Sequence, residues 1–224
     1  MLTYDKIRKN PAIQTYIQTG NEVLGAIGYT EHGFAHAAKT AETAAHILLS
    51  LGFDERTAEL AKIAGYLHDI GNMVNRENHA LTGATIAFTL LQSMGMEPTE
   101  IAKIVSAIGN HDESAGKNVT PIAAALILAD KSDVRRSRVR WVQDVATLEF
   151  IEDIHDRVNY AAKTSSLLLD AEGKEITLSV EIDTSVCPVM DYFEIFLQRM
   201  VMSRRAAEYL GLSFRLVING TVLL

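Results

Sequence analysis

The chain has 224 residues, 48% of them hydrophobic and 22% charged, enough to bury the core of one domain with a small addition. Fourteen Gly and four Pro exclude a fibrous or low-complexity chain, and no apolar run approaches the roughly 20 residues of a membrane helix. The formal charge of −7 argues against a broad electrostatic grip on nucleic acid, while a single cysteine, Cys187, and an N-terminus without a signal-peptide core point to a cytoplasmic protein.

From Pro11 to about Asp156 apolar residues recur at spacings of three and four, the period of packed helices. Asn10-Pro11 opens one helix, Thr30 is expected to cap a second running to Gly52, and Asp54 a third reaching Gly71. Further helices are predicted over 79–94, 98–110, 121–136 and 145–162. The period then changes: 165–169 and 175–182 read as strands around the turn 170–174, followed by a helix over 190–210 and a strand over 214–218. The expected fold is therefore mainly α, a helical domain over 1–162 with a small α+β appendage over 163–224. Cys187, Met190, Met200 and Met202 read as packing residues of the appendage.

The chemistry-bearing feature is a series of histidines and aspartates, His36, His68-Asp69, His79, His111 and Asp130, spread over successive helical segments. The interval from His36 to His68 equals that from His79 to His111, about one helix with its loop, so each helix of a bundle can point a ligand inward. Four imidazoles and two carboxylates suit iron, manganese, cobalt, nickel or zinc better than calcium or Cu(I). Asp69 follows an apolar helix, where an unpaired charge is costly unless a cation compensates it, and its two oxygens allow it to bridge two ions.

In order, spacing and helical context, residues 30–135 resemble the HD superfamily of metal-dependent phosphohydrolases, whose pattern is H…HD…H…H…D on a helical bundle. The resemblance implies that His36, His68, Asp69 and Asp130 hold one metal and that Asp69, His79 and His111 hold a second. A single-metal relative needs only the first four. Here HDIGN places Asn72 where many dinuclear relatives carry a lysine suited to phosphate, making Asn72 a candidate substrate-binding residue, and Asn110 precedes His111 where some relatives have a second histidine.

The segment 131–140 holds Lys131, Arg135, Arg136, Arg138 and Arg140. Cations there complement a helix C-terminus, and Lys131 or Arg135 is also placed to reach a substrate phosphate. His32, one turn before His36, is either a structural neighbour or a proton carrier, whereas His46 and His155 read as structural or solvated. The expected activity is hydrolysis of a small phosphorylated molecule, a nucleotide-like monoester or diester, with two divalent ions, iron or manganese, and with Asp69, Lys131 and His32 as candidate catalytic groups. A diiron oxygenase with the same ligands and a non-catalytic sensor module are the alternatives. The expected partner is the small substrate itself, with no membrane, and a homo-oligomer is compatible with this reading.

Overall fold

The computed structural model describes residues 1–114, 116–140 and 154–224. Its helical part runs α1 (Tyr4–Arg8), α2 (Pro11–Ala26), α3 (Phe34–Ser50), α4 (Glu55–Leu67), a 3₁₀ turn (Ile70–Met73), α5 (His79–Ser93), α6 (Pro98–Gly109), α7 (Pro121–Lys131), a second 3₁₀ turn (Arg136–Arg138) and α8 (Ile154–Ala161). Local chemistry sets several of these starts. Asn10 Oδ1 accepts from the amides of Ala12 and Ile13 ahead of Pro11, Asp54 caps α4 through the Thr57 amide, and Thr120 caps α7 through the Ala123 amide. The first half of the helix predicted over 145–162 lies outside the described residues.

Three boundaries differ from expectation, each for a tertiary reason. The second long helix starts at Phe34 behind Gly33, not at Thr30, because the Glu31 amide donates to the Arg138 carbonyl at 2.7 Å and holds 30–33 extended. The next helix ends at Leu67 rather than Gly71, and the chain turns through the 3₁₀ segment against α5. Helix α7 ends at Lys131 instead of continuing to Arg136, since Asp133 leaves the helical path to be buried beneath His36. Helix α1 was not expected.

Helix α7 is the axis of the bundle, buried at every position from Ile122 to Ala129. Helices α3 and α4 cross closely: a Cβ on Gly65 would stand 2.8 Å from the backbone of Ala41, so a larger side chain would separate the two helices that carry His36 and His68.

The C-terminal part is a four-stranded sheet in the order β1-β2-β3-β4, with β1 (Ala162–Asp170), β2 (Glu175–Ile182), β3 (Ser213–Ile218) and β4 (Thr221–Val222). Strands β1 and β2 form an antiparallel hairpin, and β2 and β3 are parallel, joined through α9 (Val189–Tyr209). Ile176, Leu178, Val180 and Ile182 alternate into the core, which runs without interruption from Ile7 in α1 to Ile218 in β3. Helix α9 packs against both α7 and β3, so the sequence boundary at 162/163 is a change of architecture within one core. Cys187, Met200 and Met202 are buried packing residues, whereas Met190 is exposed. Among the described residues no helix is long and apolar enough to cross a membrane.

Candidate metal centre

His36 sits in the first turn of α3, His68 and Asp69 follow the last turn of α4, and Asp130 lies near the end of α7. The close α3–α4 crossing brings His36 Nε2 within 3.2 Å of His68 Nε2. Asp130 Oδ1 lies 3.2 Å from the former and 3.6 Å from the latter, and Asp69 Oδ2 lies 3.7 and 3.3 Å from the same pair. Donors sharing one ion at about 2.1 Å stand roughly 3 to 3.6 Å apart, so these four atoms have the spacing of a common coordination sphere.

A second cluster adjoins the first. His79 opens α5, His111 follows α6, and their Nε2 atoms are 3.2 Å apart. The other oxygen of Asp69, Oδ1, lies 3.4 Å from His79 and 3.9 Å from His111. Asp69 thus turns one oxygen to each cluster. Asp112, the residue after His111, places Oδ2 3.8 Å from His79 Nε2.

The outer nitrogens of these rings are already occupied. Nδ1 donates to the Gly65 carbonyl in His68, to the Ile108 carbonyl in His111, to the Arg76 carbonyl in His79 and to Asp133 Oδ2 in His36, at 2.6 to 3.0 Å. With Nδ1 committed to an acceptor, each ring turns Nε2 inward as the atom that donates to an ion when deprotonated, and these atoms converge with carboxylates in a buried space. Asp69 Oδ2 is buried without a hydrogen-bond partner. Such a set is stable only around positive charge, and its nitrogen and oxygen donors fit a borderline divalent ion. His36, His68 and Asp130, and His68, Asp69 and His111, form groups able to hold a metal ion.

The electrostatics carry the same demand. Burial alone would raise the Asp69 carboxyl, but the neighbouring His68 and other imidazoles outweigh it and hold it well below the usual carboxylate range. Burial opposes charge on His68 too, yet Asp69 and Asp130 push its pKa up to about 10. Burial, reinforced by His68, pulls His111 down to about 3.

Around the ligands the other candidates fall differently. Lys131 is buried, with Nζ 2.7 Å from Glu113 Oε2 and 2.8 Å from Asp130 Oδ2. Arg135 donates from Nε to Asp133 and faces Glu31 at 3.5 Å, so both cations are engaged by carboxylates. Arg138 and Arg140 clamp the 29–31 loop through the carbonyls of Glu31 and Tyr29. His32 donates Nδ1 to the Thr30 carbonyl and packs edge-on to His36, while burial and Arg138 keep it neutral. Asn72 is buried against α2, its Nδ2 without a partner. His46 and His155 are exposed.

Two residues at this site escaped the sequence reading. Asp133 orients His36, and its only sequence signal was its place three residues after Asp130. Arg76 brings Nη1 to 3.2 Å from His79 Nε2 and 4.0 Å from Asp69 Oδ1, with its guanidinium over the Tyr29 ring.

Comparison with known proteins agrees with this geometry. The HD domain family model matches residues 33–135, which span every candidate ligand from His36 to Asp130. An uncharacterized protein of Methanocaldococcus jannaschii is 26% identical over 81% of this chain and 75% of its own length. Ribonuclease Y of Lawsonia intracellularis is 29% identical over 72% of this chain, and that of Opitutus terrae 29% over 70%. The match spans only 30% and 28% of those two ribonucleases. A crystal structure described as an HD superfamily hydrolase, from an uncultured Thermotogales bacterium, shares 24% identity over 60% of this chain and 75% of that one, with a TM-score of 0.43. The histidine–aspartate series, its helical setting and the family model agree that residues 33–135 of this chain form an HD domain.

Proposed function

We propose that the protein is a metal-dependent phosphohydrolase that acts on a small phosphorylated molecule, a nucleotide-like monoester or diester, with two divalent ions, iron or manganese. The observation that carries this reading is the position of Asp69, whose two oxygens face two different histidine clusters. His36, His68, Asp69 and Asp130 would hold one ion, and Asp69, His79 and His111 the other. Such ions, when bound, polarise a phosphoryl oxygen and acidify a bound water.

The chain's own residues prepare the site. Asp133 and three backbone carbonyls fix the imidazoles so that little reorganisation is needed on binding. Lys131 offsets the charge of Asp130 from the side away from His36. Arg76, held over Tyr29 at the rim of the second cluster, is a cation suited to a phosphate oxygen, and Asn72 lies within 3.5 Å of it. His32, neutral and with Nδ1 committed to Thr30, offers Nε2 as a proton acceptor beside His36. The name of the ribonuclease Y relatives supports phosphoester chemistry, and the net charge of −7 supports a small substrate over a long polyanion.

The test is metal analysis of protein purified without oxygen, followed by a screen of phosphate esters. Manganese-supported phosphate release in the absence of oxygen is expected. Substrate-dependent oxygen consumption without phosphate release would overturn the hydrolase reading in favour of an oxygenase.

A further inference from the structure

Beside the metal centre the described residues line a cavity of about 330 Å³ with walls from both parts of the chain: Tyr29, His32 and Arg138 from the bundle, Asn159 from α8, and Phe196 and Arg199 from α9. His32 joins it to the centre, its ring centroid 5.5 Å from that of His36. Two guanidinium groups face this space. Arg138 is 4% exposed and donates from Nε and Nη1 to the carbonyls of Glu31 and Asp133. Arg199 donates from Nε to Glu113 Oε1 at 3.0 Å and lies over the Phe196 ring, 4.7 Å from its centroid. Among the described residues, Arg138 Nη2 and both terminal nitrogens of Arg199 have no hydrogen-bond partner.

The acids nearby are already engaged, Asp130 by Lys131 and Glu31 by Arg135. Asp133 is shared by Lys39, Arg135 and Arg138, and Glu113 by Lys131 and Arg199. Guanidinium donors left over after such pairing and facing a cavity are matched by an oxyanion, which can accept two parallel hydrogen bonds from the terminal nitrogens of Arg199 and one from Arg138 Nη2. The volume lies at the lower end of small-molecule sites, which suits one compact charged group.

We infer that this cavity binds a second anionic group of the substrate, a phosphate or a carboxylate at the end opposite the hydrolysed ester. The substrate is then a small molecule that is anionic at both ends, and α9 of the C-terminal part supplies its selectivity through Arg199. The identity of the ligand as a substrate rests on the phosphohydrolase reading; the anion site itself does not.

The test uses the full chain in its metal-loaded form and three probes: p-nitrophenyl phosphate, anionic at one end, phosphoglycolate, with a carboxylate at the other, and fructose bisphosphate, with a second phosphate. Dissociation constants are measured by calorimetry, independently of turnover. Arg199→Gln is expected to weaken phosphoglycolate or fructose bisphosphate roughly ten- to a hundredfold more than p-nitrophenyl phosphate, the loss of a charge-assisted contact. Whichever two-ended probe responds tells carboxylate from phosphate recognition. Equal effects on all three probes would overturn the inference.

Because Arg199 also braces Glu113, a second pair of variants removes that ambiguity. Ile27 lines the cavity and is 56% exposed, so it tolerates charge. Ile27→Glu should weaken, and Ile27→Lys strengthen, the responding two-ended probe severalfold; shifts of the same sign, or none, would overturn the inference. Absence of phosphate release with this binding pattern intact defeats the hydrolase reading alone, whereas turnover with no such pattern defeats the anion site alone.

Discussion

His36 donates its Nδ1 proton to Asp133 Oδ2 at 2.8 Å, across 97 positions of sequence. The bond fixes both the tautomer and the plane of the ring, and it aims Nε2 at Asp130 and His68. The same carboxylate is held by Lys39, Arg135 and Arg138, so its charge is retained in a fully buried place.

Loss of this orienting carboxylate should lower metal affinity roughly 10- to 100-fold, the usual effect of removing a partner behind a histidine ligand. Asp133→Asn, which still accepts a hydrogen bond, should lose less than Asp133→Ala. Competition with a chelator of known affinity reads both, and unchanged affinity in the alanine variant would sink the orienting role.

Asp69→Ala is expected to remove more metal than His111→Ala. The first strips a donor from both clusters and the second from one only. Metal content per chain after gel filtration decides it, and equal retention in the two variants would remove Asp69 from its bridging place.

Lys131→Met should act on stability before it acts on substrate affinity. The ammonium is buried between Glu113 and Asp130, and removing one member of a buried charge cluster costs about 3 kcal/mol. Urea unfolding of the metal-free chain measures this. A wild-type midpoint combined with a raised KM would instead return Lys131 to the substrate.

Gly71→Ala should destabilise the protein by about 1 to 3 kcal/mol and loosen the second cluster first. An added Cβ would collide with the His79 carbonyl and come within 2.6 Å of the Gly83 amide, pushing α5 and its histidine outward. The expected readout is a lower midpoint together with a lost second equivalent of metal. A variant with two tightly held ions and the wild-type midpoint would contradict the close approach.

Much of this architecture is legible from local patterning. The caps at Asn10, Asp54 and Thr120 and the alternation of Ile176, Leu178 and Val180 are short-range features, because a cap reaches two or three residues and a strand has a period of two. The histidine–aspartate series was legible as a series too, since each of its members occupies a helix end and the packed helices bring them together. Where α3 begins and where α7 stops were not, because the Arg138 carbonyl and the space beneath His36 decide them from far along the chain.

The sequence by itself determined a mainly helical HD domain with a series of histidines and aspartates, and the change of period that marks the C-terminal sheet. Only the tertiary structure decided that Asp69 turns one oxygen to each cluster, that Asp133 stands behind His36, that Lys131 is taken up by Glu113, and that Arg199 of α9 reaches a cavity beside the site. The physical reason is range. Capping and periodicity are contained in a few neighbouring residues, whereas the direction of a carboxylate and the pairing of a buried cation depend on which charges the packed helices bring within about 4 Å, where a low dielectric makes each partner decisive.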